Sequence, residues 1–398
     1  MKRVILLLAA TLSLLAAFVC AAQADTARDI TSECKVSIPL HNGTKRLAYD
    51  RNQQTLMICD EQRVHNMTIT VGETPLSAVY VEFGKNHFSM EVQQKDGNGK
   101  WQTIARAEPG PAQIYAAFAP VTGEVRLRFE HPERSKKLTM SELYLFSEGE
   151  MNSAIAHDWQ PAVEKADLMV MVAHPDDELL WFSGLIPTYA GEMQKDIIVG
   201  YLTCSDSWRE LELLNGLWHC GVRTYPSVGS FRDFKIFETA GVYSVWGRKD
   251  IRTYMVQQLR QYQPEVVVTH GIAGEYGHGQ HIVCAEMLIE AVTLAADESY
   301  DPASVKKYGA WQVKKLYLHQ GDNPTTTMDW CRPLSAFGGK TGFDVACEAY
   351  QMHLSQMGGG EYYEVAAEGT AYDSFVYTLL HSTVGEDTLG GDLFENIP

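Results

Sequence analysis

The chain has 398 residues, of which 45% are hydrophobic and 21% charged, and its formal net charge is −17. A chain of this length and composition is ordinary globular protein with room for two separate cores, which excludes the fibrous and disordered classes. The acid excess excludes a nucleic-acid backbone or an anionic membrane surface as a general partner.

Residues 1–24 have a basic start at Lys2 and Arg3, an apolar centre from Val4 to Val19, and a small-x-small cleavage site at Ala22-Gln23-Ala24. The pattern is that of a signal peptide, so the expected location is secreted or periplasmic. The apolar run is short for a membrane span. Removal of the leader takes Lys2 and Arg3 with it and leaves a net charge of −19. Seven cysteines then remain, and in an oxidising compartment their local spacing suggests pairing of Cys34 with Cys59 and of Cys331 with Cys347, with Cys284 free. None has C-x-x-C spacing, which argues against a cysteine zinc site.

From residue 25 to about residue 150 the periodicity is two. Ser77 to Phe83, Phe88 to Gln93 and Glu124 to Phe129 alternate apolar and polar residues, and Asp96-Gly97-Asn98-Gly99 reads as a turn. Such strands predict an all-β antiparallel sandwich. Trp101 is either a core residue, the preferred reading, or a ring on which a sugar stacks. A polar boundary, Ser147 to Glu164, follows.

From about residue 160 to 398 the rhythm changes to short apolar runs alternating with helical segments. Strands are predicted at Asp167–Ala173, Asp196–Thr203, Glu265–Thr269 and Lys315–His319. Helices are predicted at Glu178–Ala190, Trp208–Cys220, Ile251–Gln261 and His281–Ala296. The alternation predicts an α/β Rossmann-like fold, a mostly parallel sheet with helices on both faces. The Gly-rich ending, Gly358 to Gly360 and Gly385 to Gly391, reads as mobile loop or tail.

Chemistry concentrates at two strand ends. The first strand empties into His174-Pro175-Asp176-Asp177-Glu178, three adjacent acids beside a histidine. Such acids repel one another unless a cation sits among them, and the alternative is a solvated acidic loop. About a hundred residues later, after the run Val266 to His270, comes His278-Gly279-Gln280-His281. His278 and His281 stand three apart and project to one side if the turn is helical. Catalytic zinc takes three protein ligands and keeps one position open, and two imidazoles with one carboxylate satisfy that. The same set describes non-haem Fe(II) sites.

The hexapeptide Ala173 to Glu178, A-H-P-D-D-E, with the later Gly277-His278-Gly279-Gln280-His281, resembles the PIG-L/LmbE family of zinc-dependent N-acetylglucosaminyl deacetylases. The resemblance covers roughly Lys165 to Gln356. It implies a Zn2+ site, with Fe2+ as the alternative, held by His174, Asp177 and His281. It further implies that Asp176 is the general base, that metal-bound hydroxide attacks an amide carbonyl, and that a cationic His278 stabilises the oxyanion. Arg209 and Glu212 match the family's R-x-x-E. Arg209, Asp233 and Tyr276 are the implied substrate contacts, with a helix-surface ion pair the rival reading for Arg209 and a loop cap that for Asp233. Glu275 stands where small deacetylases often have Gly. The segments Gly99 to Ile104 and Leu138 to Leu145 look like discoidin (F5/8 type C) sandwiches, which often bind carbohydrate.

The expected function is removal of the N-acetyl group from an N-acetylglucosamine-type sugar or glycan. An amidase acting on a larger N-acyl sugar conjugate is the rival within hydrolases. A non-catalytic carbohydrate-binding protein is the rival outside them. Oligomeric state is not legible in the sequence.

Overall fold

The computed structural model describes residues 25–40, 43–84, 87–204, 207–321, 323–357 and 364–398. The leader, Asp206 and Gly358 to Gly360 lie outside them.

The first half is two antiparallel sheets. One has the order β1-β3-β8-β5-β6, built from β1 (Lys35–Ser37), β3 (Val64–Thr70), β8 (Glu124–Glu130), β5 (Ser89–Lys95) and β6 (Trp101–Ala107). The other has the order β2-β9-β4-β7, from β2 (Met57–Ile58), β9 (Thr139–Phe146), β4 (Leu76–Phe83) and β7 (Gln113–Val121). Strand alternation explains how the faces are used. Val79, Val81 and Phe83 of β4 point into one core with Met90, Val92, Leu127 and Phe129 of the other sheet. Ala78 and Tyr80 point the opposite way and pack with Phe146 and Ala156. All eight residues of β4 are therefore buried.

The outward face also carries Glu82, 1% exposed, directly across the ladder from Glu142 of β9. Burial raises each carboxyl to about 7. Glu82 accepts hydrogen bonds from Gln53, Gln113 and Tyr80, whereas Glu142 is paired with Arg51 at 3.0 Å. A carboxyl whose folded pKa lies above its unfolded value keeps a proton that the unfolded chain has lost. Folding stability contributed here is thus present at low pH and falls as pH rises through the window from the ordinary carboxylate range to about 7. Glu82→Gln is expected to raise the melting midpoint at about pH 8 and to remove roughly half of its decline between about pH 5 and pH 7, Glu142 supplying the rest. Melting curves across that range check this, and a parent midpoint independent of pH there would contradict it.

The second half carries a seven-stranded sheet of order β12-β11-β10-β13-β14-β16-β15. The strands β10 (Leu168–Val172), β11 (Ile197–Tyr201), β12 (Ser227–Val228), β13 (Val266–Thr269) and β14 (Lys315–His319) pair in parallel. β16 (Val376–Ser382) and β15 (Thr326–Thr327) complete the edge antiparallel. Alternate residues of β10 feed two different cores. Leu168, Val170 and Val172 pack with helices α2 (Ser207–His219) and α7 (Gly342–Tyr350). Met169 and Met171 pack with α3 (Thr239–Trp246), α4 (Arg248–Tyr262) and α5 (Gly279–Ala295). Helices thus cover both faces. The chain leaves β10 to pair with β11 on one side and later with β13 on the other, which opens a crevice at their carboxyl ends. Among the described residues no helix is long and apolar enough to cross a membrane.

Four expectations need correction. The helix expected over Glu178–Ala190 is a short α1 (Asp177–Leu180), four turn residues including Ser183 at φ 36°, and a π-helical turn over Pro187–Glu192. A Cβ at Gly184 would stand 2.7 Å from the Trp330 side chain, so the backbone must bend past that buried ring. Trp101 is not a core residue: it is half-buried on the outer sheet face, with Arg126 4.4 Å and Lys95 4.8 Å from its ring centre. Cys34, Cys59, Cys331 and Cys347 are all free thiols, as is Cys284. Burial pushes Cys59 and Cys347 up to about 11, so these behave as small apolar residues. The polar boundary is docked, with His157 stacked on Trp218 at 4.8 Å and Trp159 donating to Gln113. The Gly-rich ending from Gly385 is pinned as well: Leu393 is fully buried and Asp387 makes a buried ion pair with Lys315.

Candidate metal centre

His174 leaves the end of β10, and the turn after it is tight. Asp176 adopts φ 108°, a left-handed conformation that costs energy and sets the carboxylates of Asp176 and Asp177 in different directions. Asp177 opens α1, and its Oδ2 receives both the His174 amide at 2.8 Å and a contact from His174 Nδ1 at 3.0 Å. His278 caps the start of α5 and His281 lies in its first turn, so their rings are 4.7 Å apart, as the three-residue spacing predicts.

The fit to a cation rests on three donors. His174 Nδ1 lies 3.0 Å from Asp177 Oδ2, His281 Nε2 lies 3.3 Å from Asp177 Oδ1, and the two imidazole nitrogens are 3.2 Å apart. Ligands on a tetrahedral zinc with bonds of about 2.0–2.1 Å stand roughly 3.3 Å from one another. Two ring nitrogens and a carboxylate at that spacing, all buried, fit Zn2+, and the same donors suit Fe2+. His270 also approaches, its Nε2 3.4 Å from Asp177. Burial works against charge on His270, while Glu275 and Asp177 raise it to about 10. The Ala173 amide, however, donates to His270 Nε2 at 3.1 Å, a bond fixed by the strand end. That bond and the contact of Nδ1 with Glu275 occupy both ring nitrogens, so His270 stands behind the cage.

Around this triangle the remaining expected residues converge. A cavity of about 160 Å³ is lined by His174, Asp176, Asp177, Arg209, Asp233, Tyr276 and His278, together with Trp181, Lys235 and Gln356. His281 lies fully buried below. Burial raises Asp176 to about 7, against the Arg209 guanidinium 3.3 Å away. Burial alone would raise Asp177 also, but His281, His174 and His270 around it hold it well below the usual carboxylate range. Arg209 is not a surface ion pair: it is largely buried, bridges Asp176 and Asp233 (3.1 Å), and donates to the Pro175 carbonyl. Its Nε has no hydrogen-bond partner among the described residues. Asp233, expected as either a substrate contact or a loop cap, reaches Arg209 and stands 3.7 Å from His174 Nε2. The cationic His278 expected from the sequence is not met. Burial, with His174 and His281 alongside, lowers it to about 3, leaving a neutral imidazole whose Nδ1 is unpartnered.

Four supporting residues escaped the sequence reading. Gln280 accepts from His174 Nε2 at 2.6 Å, which turns Nδ1 towards the triangle. Trp181 donates to Asp177 Oδ1 at 2.9 Å. Glu275 and His270 form a layer behind His281. For Gln280, its place between the two histidines was the available signal; the others depend on contacts that no local pattern shows. A larger cavity, about 600 Å³, lies elsewhere, between Glu82 and Trp218. Its polar groups Gln53, Glu82 and Asn215 already bond to one another or to Gln113, so it offers no comparable cage.

With this geometry in hand, comparison with known proteins adds a family. Residues 169–292 match the PIG-L family model, described as GlcNAc-PI de-N-acetylase. The chain is 29% identical over 180 residues to a Catenulispora acidiphila protein named 1D-myo-inositol 2-acetamido-2-deoxy-alpha-D-glucopyranoside deacetylase 1 (38% of this chain, 54% of that protein). It is 32% identical over 181 residues to the Rhodococcus opacus deacetylase of the same name, without the numeral (38% and 60%). The chain thus spans little more than half the length of these relatives, and both are named deacetylases. A solved N,N'-diacetylchitobiose deacetylase from Pyrococcus horikoshii aligns at TM-score 0.36 and 16% identity, over 48% of this chain and 71% of that one.

Proposed function

We propose that this chain is a metal-dependent hydrolase that removes the N-acetyl group from an N-acetylglucosamine-type sugar or glycoconjugate. The observation that carries the reading is the buried triangle of His174, Asp177 and His281, with the separate carboxylate of Asp176 at its edge. The relatives' printed names, which specify a 2-acetamido sugar, support the substrate class. His174, Asp177 and His281 would hold the metal, Zn2+ or else Fe2+. When bound, such an ion polarises an amide carbonyl and lowers the pKa of water towards neutrality. Asp176 accepts the proton of the attacking water, and a carboxyl titrating near 7 suits that task. Neutral His278 donates a hydrogen bond where oxyanion charge develops. Arg209 holds Asp176 and Asp233 in place, and Asp233 and Tyr276 meet the sugar at the cavity mouth.

The division of the chain into a signal peptide (1–24), a discoidin-like, sugar-holding sandwich (25–150) and a Rossmann-like catalytic domain (160–398) belongs to the same proposal, as does a secreted or periplasmic location. The two facing sheets, the parallel strands β10 to β14 and the basic-apolar leader support it.

The test is acetate release from N-acetylglucosamine oligomers. It is expected to be abolished by a chelator and restored by Zn2+, and the small cavity predicts slower cleavage as the acyl group lengthens. Faster cleavage of long N-acyl conjugates would favour the amidase. No acetate from any glycan tried, with glycan binding intact, would favour the binding protein.

A further inference from the structure

We propose that Glu275 is a positioning residue for the ligating face of His281 and that His319 holds Glu275 in place. The proposal rests on the metal reading above and extends it to residues outside the cage.

Glu275 is 2% exposed, and its carboxylate is surrounded by donors. Oε2 faces His281 Nδ1 at 2.8 Å and His270 Nδ1 at 2.6 Å, while Oε1 faces His319 Nδ1 at 2.6 Å and the Gly271 amide at 3.3 Å. Counting hydrogens settles two of the rings. His281 has Nε2 in the triangle, so Nδ1 carries its proton and donates to Glu275; the lone pair is left facing the cage. His270 accepts from Ala173 at Nε2 and therefore donates at Nδ1. His319 faces Glu275 Oε1 with Nδ1 and the Asp373 carbonyl with Nε2 at 3.1 Å, which fixes its ring between Glu275 and the segment before β16.

Both oxygens of the buried Glu275 carboxylate thereby meet partners behind the cage. A lone carboxylate in this position would add an unpaired buried charge next to Asp177, at high cost. His319 comes from the end of β14 and Asp373 from the segment leading into β16, so the outer strands of the sheet hold the orientation of a side chain on α5.

The test measures Zn2+ affinity by competition with a chromophoric chelator, and the absorption spectrum of the Co2+-loaded protein, on the full chain. Glu275→Gln is expected to weaken Zn2+ binding about 10- to 100-fold and to alter the Co2+ spectrum. His319→Gln is expected to act in the same direction by a smaller factor. It also carries the test should Glu275→Gln fail to fold. Unchanged affinity and an unchanged Co2+ spectrum in a folded variant would overturn the proposal, even if its melting temperature fell. A parent chain that binds no Zn2+ would overturn the metal reading together with it, and the two failures are thereby told apart.

Discussion

The Asp176→Asn variant is expected to release acetate about 100- to 10,000-fold more slowly than the parent while keeping its metal. Asn has the same shape as Asp but cannot accept the proton. The substitution also suits the backbone, because Asn tolerates the left-handed conformation imposed at φ 108° better than most residues. The bonds that shape the turn, from the Asp176 amide to Glu178 and from the Leu179 amide to the Asp176 carbonyl, involve main chain of residue 176 and survive. Metal analysis and acetate assay on the same preparation decide the matter. A loss under tenfold would remove Asp176 from the role of base, and loss of metal would make it a ligand.

Arg260→Met is expected to be among the most destabilising single changes away from the site. Arg260 is fully buried in α4 and its guanidinium spends its donors on main-chain oxygens. It bonds Ala295 O (3.0 Å), Leu294 O (3.0 Å) and Asp297 O (2.7 Å) at the carboxyl end of α5. It also bonds Tyr300 O (2.8 Å), and Ser304 Oγ (2.7 Å) of the helix α6, Pro302–Tyr308. A cation at a helix carboxyl end complements its dipole, and here it also satisfies carbonyls that the helix itself leaves open. Methionine fills comparable volume but supplies none of these bonds, although the amides of Trp311, Asp297 and Tyr300 still reach the carbonyls of Ala295, Leu294 and Asp297. With each lost hydrogen bond worth about 0.5–1.5 kcal/mol, the total is expected to be about 3 kcal/mol or more. Denaturant unfolding measures it, and a loss below about 1 kcal/mol would show that water enters and replaces the guanidinium.

The framework that positions the site was legible because its signals are local. β10, β11, β13 and β14 are short, mostly apolar runs, and all fall within two residues of their expected bounds. The two histidine motifs sit at strand ends, so His174, Asp177 and His281 could be named before their convergence was seen. What escaped depends on distant partners. Glu275 has no visible role until His319, 44 residues later, is folded against it. Trp101 reads as a core residue from composition, yet Lys95 and Arg126 meet it from neighbouring strands. The protonation of His278 depends on two rings brought beside it by the fold. The interrupted helix after Asp177 follows from contact with Trp330, about 150 residues away, and no pattern near Gly184 announces it.

The closing residues of the chain work as a clasp. Asp387 neutralises Lys315, whose ammonium is buried in the sheet, and Tyr189 binds both the Asp392 carboxylate and the Leu393 amide. A chain cut after β16 would therefore leave the Lys315 ammonium without its carboxylate at the start of β14, the strand whose other end carries His319. The second half cannot be lifted out at the limits of its family match, because its last dozen residues complete a charge pair buried in the sheet.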